Sequence, residues 1–238
     1  MNAPEHAPIA APAVTVRRIV TGLPTPGTEP AFLVDRPDLP ADWSAVCGLL
    51  LPSQGEDRAR ELLARGSPGV YVGEAALLDS GVIERLARDF GTQRIGIYVP
   101  AKRMGVSWRL DPVSNADFKV MTPSVCEPCW EILMADGRST GTIASWWIEE
   151  MFKLGVSAAL VRADIRDDAD LNICATLGEQ CGERLWMGPL EDEDSRFAEW
   201  VSLARVSRLA VPENVYQANE QLAALRSAVI APPAVQAA

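Results

Sequence analysis

The residues best suited to handling a negatively charged small molecule are Lys102, Arg103, Arg138 and Arg162, interleaved with Glu74, Asp164, Asp167 and Asp168. Guanidinium forks and ammonium groups grip phosphate or carboxylate, and a neighbouring carboxylate can move a proton. Asp167 and Glu74 are therefore the candidates for acid–base work. Lys102, Arg103, Arg138, Arg162 and Asp167 are the candidates for ligand binding. The bland reading of the same charges is a solvated rim of salt bridges, each worth little. A second set is sulfur: Cys126-Glu-Pro-Cys129 forms a CxxC, and Cys174 and Cys181 follow. Four thiolates suffice for a tetrahedral zinc site, and the CxxC alone suits a redox pair. A single CxxC beside a pair seven residues apart fits inert, buried thiols better, so no cofactor is expected and zinc is the alternative. The sole histidine, His6, lies in an Ala/Pro-rich start, which removes every mechanism built on a core imidazole. The sequence holds no P-loop and no Gly-rich dinucleotide turn.

The chain of 238 residues is 48% hydrophobic and 23% charged, an ordinary balance for one large globular domain. Its formal net charge of -10 argues against nucleic acid and against an anionic membrane surface as partners. No apolar run approaches the ~20 residues of a membrane span. Residues 1–14 read as a disordered leader without the basic and apolar regions of a signal peptide, and 228–238 as a disordered tail, leaving a single domain over 15–227. Five cysteines, an odd number, point to a reducing, cytoplasmic setting.

The elements that must position these groups alternate between two periods. Apolar runs at Ile19-Val20, Ala31–Val34, Ala45–Leu51, Val70–Val72, Ile95–Val99, Trp130–Met134, Ser157–Ala163, Arg184–Met187 and Ser207–Val211 read as strands. Helical spacing marks Glu56–Arg65, the stretch from Val82 to Phe90, Ile143–Leu154, Leu171–Leu177, Arg196–Ala204 and Glu213–Arg226. Gly66, Gly91 and Gly155 stop three of these helices, and Asp136-Gly137 marks a turn. Gly73-Glu74 reads as the start of a polar loop, and Asp79 or Ser80 as the N-cap of the helix that follows. Trp147 falls on the core face of its helix with Ile143 and Met151. Glu191–Asp194 reads as a solvated acidic turn ahead of a helix. From Cys47 onward, strand and helix alternate about every 25–30 residues, the rhythm of a (β/α) barrel. The first third is too short for full units. The fold class expected is α/β, a degenerate (β/α)8 TIM barrel with a shortened N-terminal portion and an enlarged loop after the fifth strand. That loop runs over Met104–Glu127 and carries Trp108 and Phe118.

Two stretches resemble a known family. VYVGEAALLDSGVIERLARDFGTQRIGIYVPAKR is similar to the fourth unit and fifth strand of the cyclase subunit of imidazole glycerol phosphate synthase, one of the histidine-biosynthesis (HisA/HisF-like) TIM barrels. ADGRSTGTIASWWIEEMFKLGVSAALVRADIRDD is similar to its fifth loop, fifth helix and sixth strand. With ARELLARGSPGVYVGEAA, the likeness covers roughly residues 56–168. The resemblance implies two catalytic aspartates at the ends of strands one and five. Those positions are Pro24 and Pro100 here, and proline has no proton to give or take. It also implies phosphate-gripping segments after strands three and seven, which read Leu51-Pro52-Ser53-Gln54 and Met187-Gly188-Pro189-Leu190. Pro189 lacks an N–H where the family presents them. Asp167 and the Lys102-Arg103 pair remain as family matches.

The function expected is a divergent barrel without the cyclase activity, a binding, accessory or partner protein for a phosphorylated or anionic small molecule. The family subunit works with a glutaminase, so a protein partner or a homo-oligomer is expected as well. The first alternative is an enzyme, a lyase or isomerase, with acid–base chemistry relocated to Asp167 or Glu74 on a phosphorylated substrate. The second is a zinc or thiol protein using Cys126 and Cys129.

Overall fold

The computed structural model of the chain describes residues 14–40, 42–104, 114–115, 118–119, 128–192 and 194–230. Eight parallel strands close into a barrel: β1 (Thr15–Val20), β2 (Ala31–Val34), β3 (Val46–Leu51), β4 (Val70–Val72), β5 (Ile95–Arg103), β10 (Ala158–Arg162), β11 (Leu185–Gly188) and β12 (Arg208–Pro212). Closure comes from β10 pairing with β5 and β12 with β1. The fold is a (β/α)8 TIM barrel.

Between β5 and β10 stand β6 (Ser114–Asn115), β7 (Phe118–Lys119), β8 (Trp130–Leu133) and β9 (Ser139–Ile143), all outside the barrel wall. Helices α1 (Glu56–Ala64), α2 (Glu74–Leu78) and α3 (Gly81–Phe90) follow β3 and β4. The rest of the outer layer is α4 (Ala144–Lys153), α5 (Asp168–Cys181), α6 (Phe197–Ser202), α7 (Glu213–Ala218) and α8 (Glu220–Ile230). Among the described residues no helix joins β1 to β2 or β2 to β3. This is the shortened N-terminal portion that the sequence implies. Contacts from α7 and α8 cover the outer side of β1, and Leu39 and Trp43 pack onto the same core.

Alternation along β5 explains the two-layered core. Ile95, Ile97, Val99 and Ala101 point outward and are fully buried beneath helices. Tyr98 points inward, where Ile19, Phe32, Leu50, Leu160, Trp186 and Ala210 fill the barrel axis. Phe32 meets Tyr71 and Trp186 edge-on, with ring centroids 5.2 and 5.1 Å apart. Such aromatic pairs are worth roughly 0.5–1.5 kcal/mol each beyond their area. The space for Tyr71 comes from Gly48 and Gly96: a Cβ on either would lie 2.7 or 2.6 Å from its ring carbons.

Several boundaries differ from the sequence reading. The residues before α4 form β9, paired antiparallel with β8, so the helix begins at Ala144 instead of Ile143. Gly73-Glu74 opens the short helix α2 instead of a polar loop. Of the two N-cap candidates for α3, Ser80 holds the position, though without a side-chain bond, and the Asp79 carboxylate accepts from the Gly81 N–H at 3.0 Å. The helix seen at Leu171–Leu177 runs from Asp168 to Cys181. The closing helix is broken at Asn219, whose extended ψ of 111° separates α7 from α8. Of the leader expected over 1–14 and the tail expected over 228–238, residues 1–13 and 231–238 lie outside the described residues, as do Trp108 and Cys126; Val14 is buried, and 228–230 belong to α8.

Candidate functional site

The C-terminal rim of the barrel is built around the end of β10. Arg162 and Asp164, two residues apart, both turn toward the loop after β11. Arg162 donates from Nε to the Pro189 carbonyl at 2.8 Å and from Nη2 to the Leu190 carbonyl at 2.7 Å. Asp164 takes the same loop from its amide side. Its Oδ1 accepts from the N–H groups of Leu190, Glu191 and Asp192 at 2.9, 2.9 and 3.0 Å. Its side chain is only 5% exposed, with Arg166 3.4 Å from the other oxygen. Burial pulls the Asp164 carboxyl upward, but the three backbone donors and Arg166 outweigh it and hold the group below its ordinary value.

A second network ties β5 and β8 to α5. Asp167 is the N-cap of α5, accepting from the N–H groups of Ala169 and Asp170 at 3.0 Å each. Arg103 binds both Asp167 oxygens, one of them from Nη1 at 2.8 Å. The Arg103 guanidinium and the two backbone donors lower the Asp167 carboxyl to about 2. Arg103 also donates from Nε to Asp170 Oδ1 at 2.9 Å, which Trp130 Nε1 shares at 2.9 Å. The Arg166 N–H donates to Asp170 Oδ2 at 3.1 Å. An acid that caps a helix and is gripped by a guanidinium is a poor proton acceptor at neutral pH. Asp167 and Arg103 thus come together as sequence reasoning places them, but in a structural clamp. Asp170 and Trp130 complete that clamp and were missed; the available signal was an acid in the first turn of a helix, where the dipole favours it.

The other sequence candidates are dispersed. Glu74 accepts from the Ala135 N–H at 3.4 Å, docking α2 on the β8–β9 turn. Arg138 is exposed on that turn and pairs with Asp136 at 2.6 Å. Lys102 is exposed and faces Glu131 across the β5–β8 ladder. Glu131 is 6% exposed and accepts from the Gly141 N–H at 3.2 Å. Pro100 sits in register with Arg162, three residues beyond the last β4 pairing of its strand, where a missing N–H costs no ladder bond to β4. Pro24 lies four residues past the end of β1.

Cys174 and Cys181 share one face of α5 in the helix–strand core, where burial pushes their thiols up to about 12 and about 11. Thiols so raised are poor thiolate ligands. Among the described residues no group of three or more His, Cys, Asp or Glu side chains is placed to hold a metal ion. A cavity of about 270 Å³ opens on the outer layer between α4 and the end of α5, lined by residues that include Ser145, Glu149, Phe152, Gln180 and Arg184. Arg184 lies 3.8 Å over the Phe152 ring there. No described helix is long and apolar enough to cross a membrane.

The fold and rim place the chain among TIM barrels with loops gathered at the C-terminal mouth. No family model matches it. It is 31% identical over 109 residues to the imidazole glycerol phosphate synthase subunit HisF of Nostoc sp., covering 45% of this chain and 35% of that protein. The HisF subunit of Trichormus variabilis matches with the same identity and coverage. The chain therefore spans about a third of the length of the curated relatives it matches. Together with the closed parallel barrel, these likenesses support a distant HisF-like relationship.

Proposed function

We propose that this chain is a HisF-like barrel without the synthase chemistry, acting as an accessory or partner protein. The observation that carries this reading is Pro100, the last residue of β5 in register with β10 before the strand goes on to pair with β8, where the family resemblance calls for an aspartate. A ring nitrogen locked in an amide can neither donate nor accept a proton. Pro24 does the same at the corresponding position after β1.

The partner role stands ahead of the phosphorylated-ligand role. The matched relatives are named as subunits of a synthase, that is, as parts of an assembly. The rim guanidiniums that a phosphate needs are spent within the protein: Arg162 on two carbonyls, Arg103 on two carboxylates, Arg138 on Asp136. Lys102 is exposed on the part of β5 that pairs with β8, beyond the strand's pairing within the barrel. Relocated catalysis at Asp167 or Glu74 gains no support from their geometry, since one caps a helix and the other docks a turn. The test is expression in a histidine auxotroph lacking the cyclase subunit. No rescue is expected, and growth would overturn the reading.

A further inference from the structure

We infer that the loop after β11 is an oxyanion cradle that the protein keeps filled with its own carboxylate, Asp164, so that no phosphate or carboxylate ligand is taken there. The observation is geometric. Three consecutive amides, those of Leu190, Glu191 and Asp192, converge on one oxygen at 2.9, 2.9 and 3.0 Å. Successive N–H groups converging on a point form a nest, whose natural occupant is an anion. A carboxylate oxygen and a phosphate oxygen are equivalent acceptors for such donors. Here the acceptor is covalently attached two residues beyond the end of β10 and is almost fully shielded from solvent.

Two further features hold it in place. Arg162, from the same strand end, fixes the carbonyls of Pro189 and Leu190, so the loop is gripped on its acceptors by one side chain and on its donors by the other. A carboxylate held in place by the fold also has its orientation and translational entropy settled in advance, which a free anion must still lose on binding. A phosphate entering beside Asp164 would meet like charge from Asp164 itself, and from Glu191 and Asp192 on the loop. The inference goes beyond the proposed function and stands whether or not the barrel proves catalytic.

The test uses inorganic phosphate as probe, at constant ionic strength, on the full chain and on Asp164→Ala and Asp164→Asn. In the unaltered protein the amide signals of Leu190, Glu191 and Asp192 are expected to ignore phosphate, and the melting temperature to stay put. Asp164→Ala empties the cradle: it should melt lower, shift those three amides on phosphate addition and regain several degrees by mass action. Asp164→Asn keeps an acceptor oxygen in place and should not respond. Phosphate shifting the three amides in the unaltered protein, or a folded Asp164→Ala that ignores phosphate, overturns the inference. Should Asp164→Ala fail to fold, an acid titration of the unaltered protein decides: the three amides must move with the Asp164 carboxyl signal, and independent movement overturns it.

Discussion

Asp170 gathers donors from three segments: Arg103 of β5, Trp130 of β8 and the backbone of Arg166. Its side chain is 4% exposed, so the carboxylate and its partners depend on one another. Removing one member of a buried charged set costs roughly 3–5 kcal/mol, because the partner is left desolvated and unpaired. Asp170→Ala should lose about that much in urea denaturation, read by Trp fluorescence. Asp167 behaves differently because it is over half exposed. Its folded carboxyl, held near 2 by Arg103, lies below the ordinary value of about 3.9. Its contribution is therefore complete above about pH 4 and is lost as pH falls through the folded value. Asp167→Asn should flatten the acid limb of the stability curve between those limits, and an unchanged limb would remove the ion pair from the account. At this scale the sequence is a partial guide. It identifies Asp167 and Arg103 as partners near one strand end, but residue types do not distinguish a clamp from a ligand site. Asp164 has the same one-letter signature as its solvated neighbours Asp167 and Asp168, and only the β11 loop folding over it makes it a buried acceptor.

Among elements, the strands were easier to read than the segments between them. β5, β10 and β12 carry continuous apolar runs because a barrel strand is buried on both faces. The β8–β9 hairpin was half legible. Its Asp136-Gly137 turn is plain, with Gly137 at φ +83°, but β9 itself was not read, and the helical spacing of Ile143, Trp147 and Met151 drew its last residue into the helix. Ile143 is in fact 42% exposed and ends a strand. Among the described glycines, Gly188 of β11 has the closest approach to a neighbouring strand. A Cβ on Gly188 would lie 1.9 Å from the Ala210 carbonyl oxygen, so β11 and β12 must part to admit one. Gly188→Ala should destabilise at or above the upper end of the ~1–3 kcal/mol typical of overpacking. Gly22→Ala, with open space around it, should change little beside it. Equal stability of the two variants in urea would show that the β11–β12 contact is not as close as described.

On the scale of the whole molecule, the barrel is complete although two of its connecting helices are absent from the described residues. The axis is packed by Phe32, Tyr71, Tyr98 and Trp186, and the outer face of β1 is covered by the two closing helices. The architecture was legible because period-two and period-3.6 patterns alternate with glycine stops. The mouth was less so, because its character depends on which charges the loops bring together. On the proposed reading, proline stands at both positions that the family resemblance assigns to acid–base work, and the three described carboxylates weighed above are engaged elsewhere: Asp164 fills a loop, Asp167 caps a helix, and Glu74 docks a turn. The most direct measurement is growth without histidine of a strain lacking the cyclase subunit, carrying either this chain or an intact HisF subunit at matched expression. The account predicts growth with the intact subunit and none with this chain; colonies at comparable rates from both would contradict it.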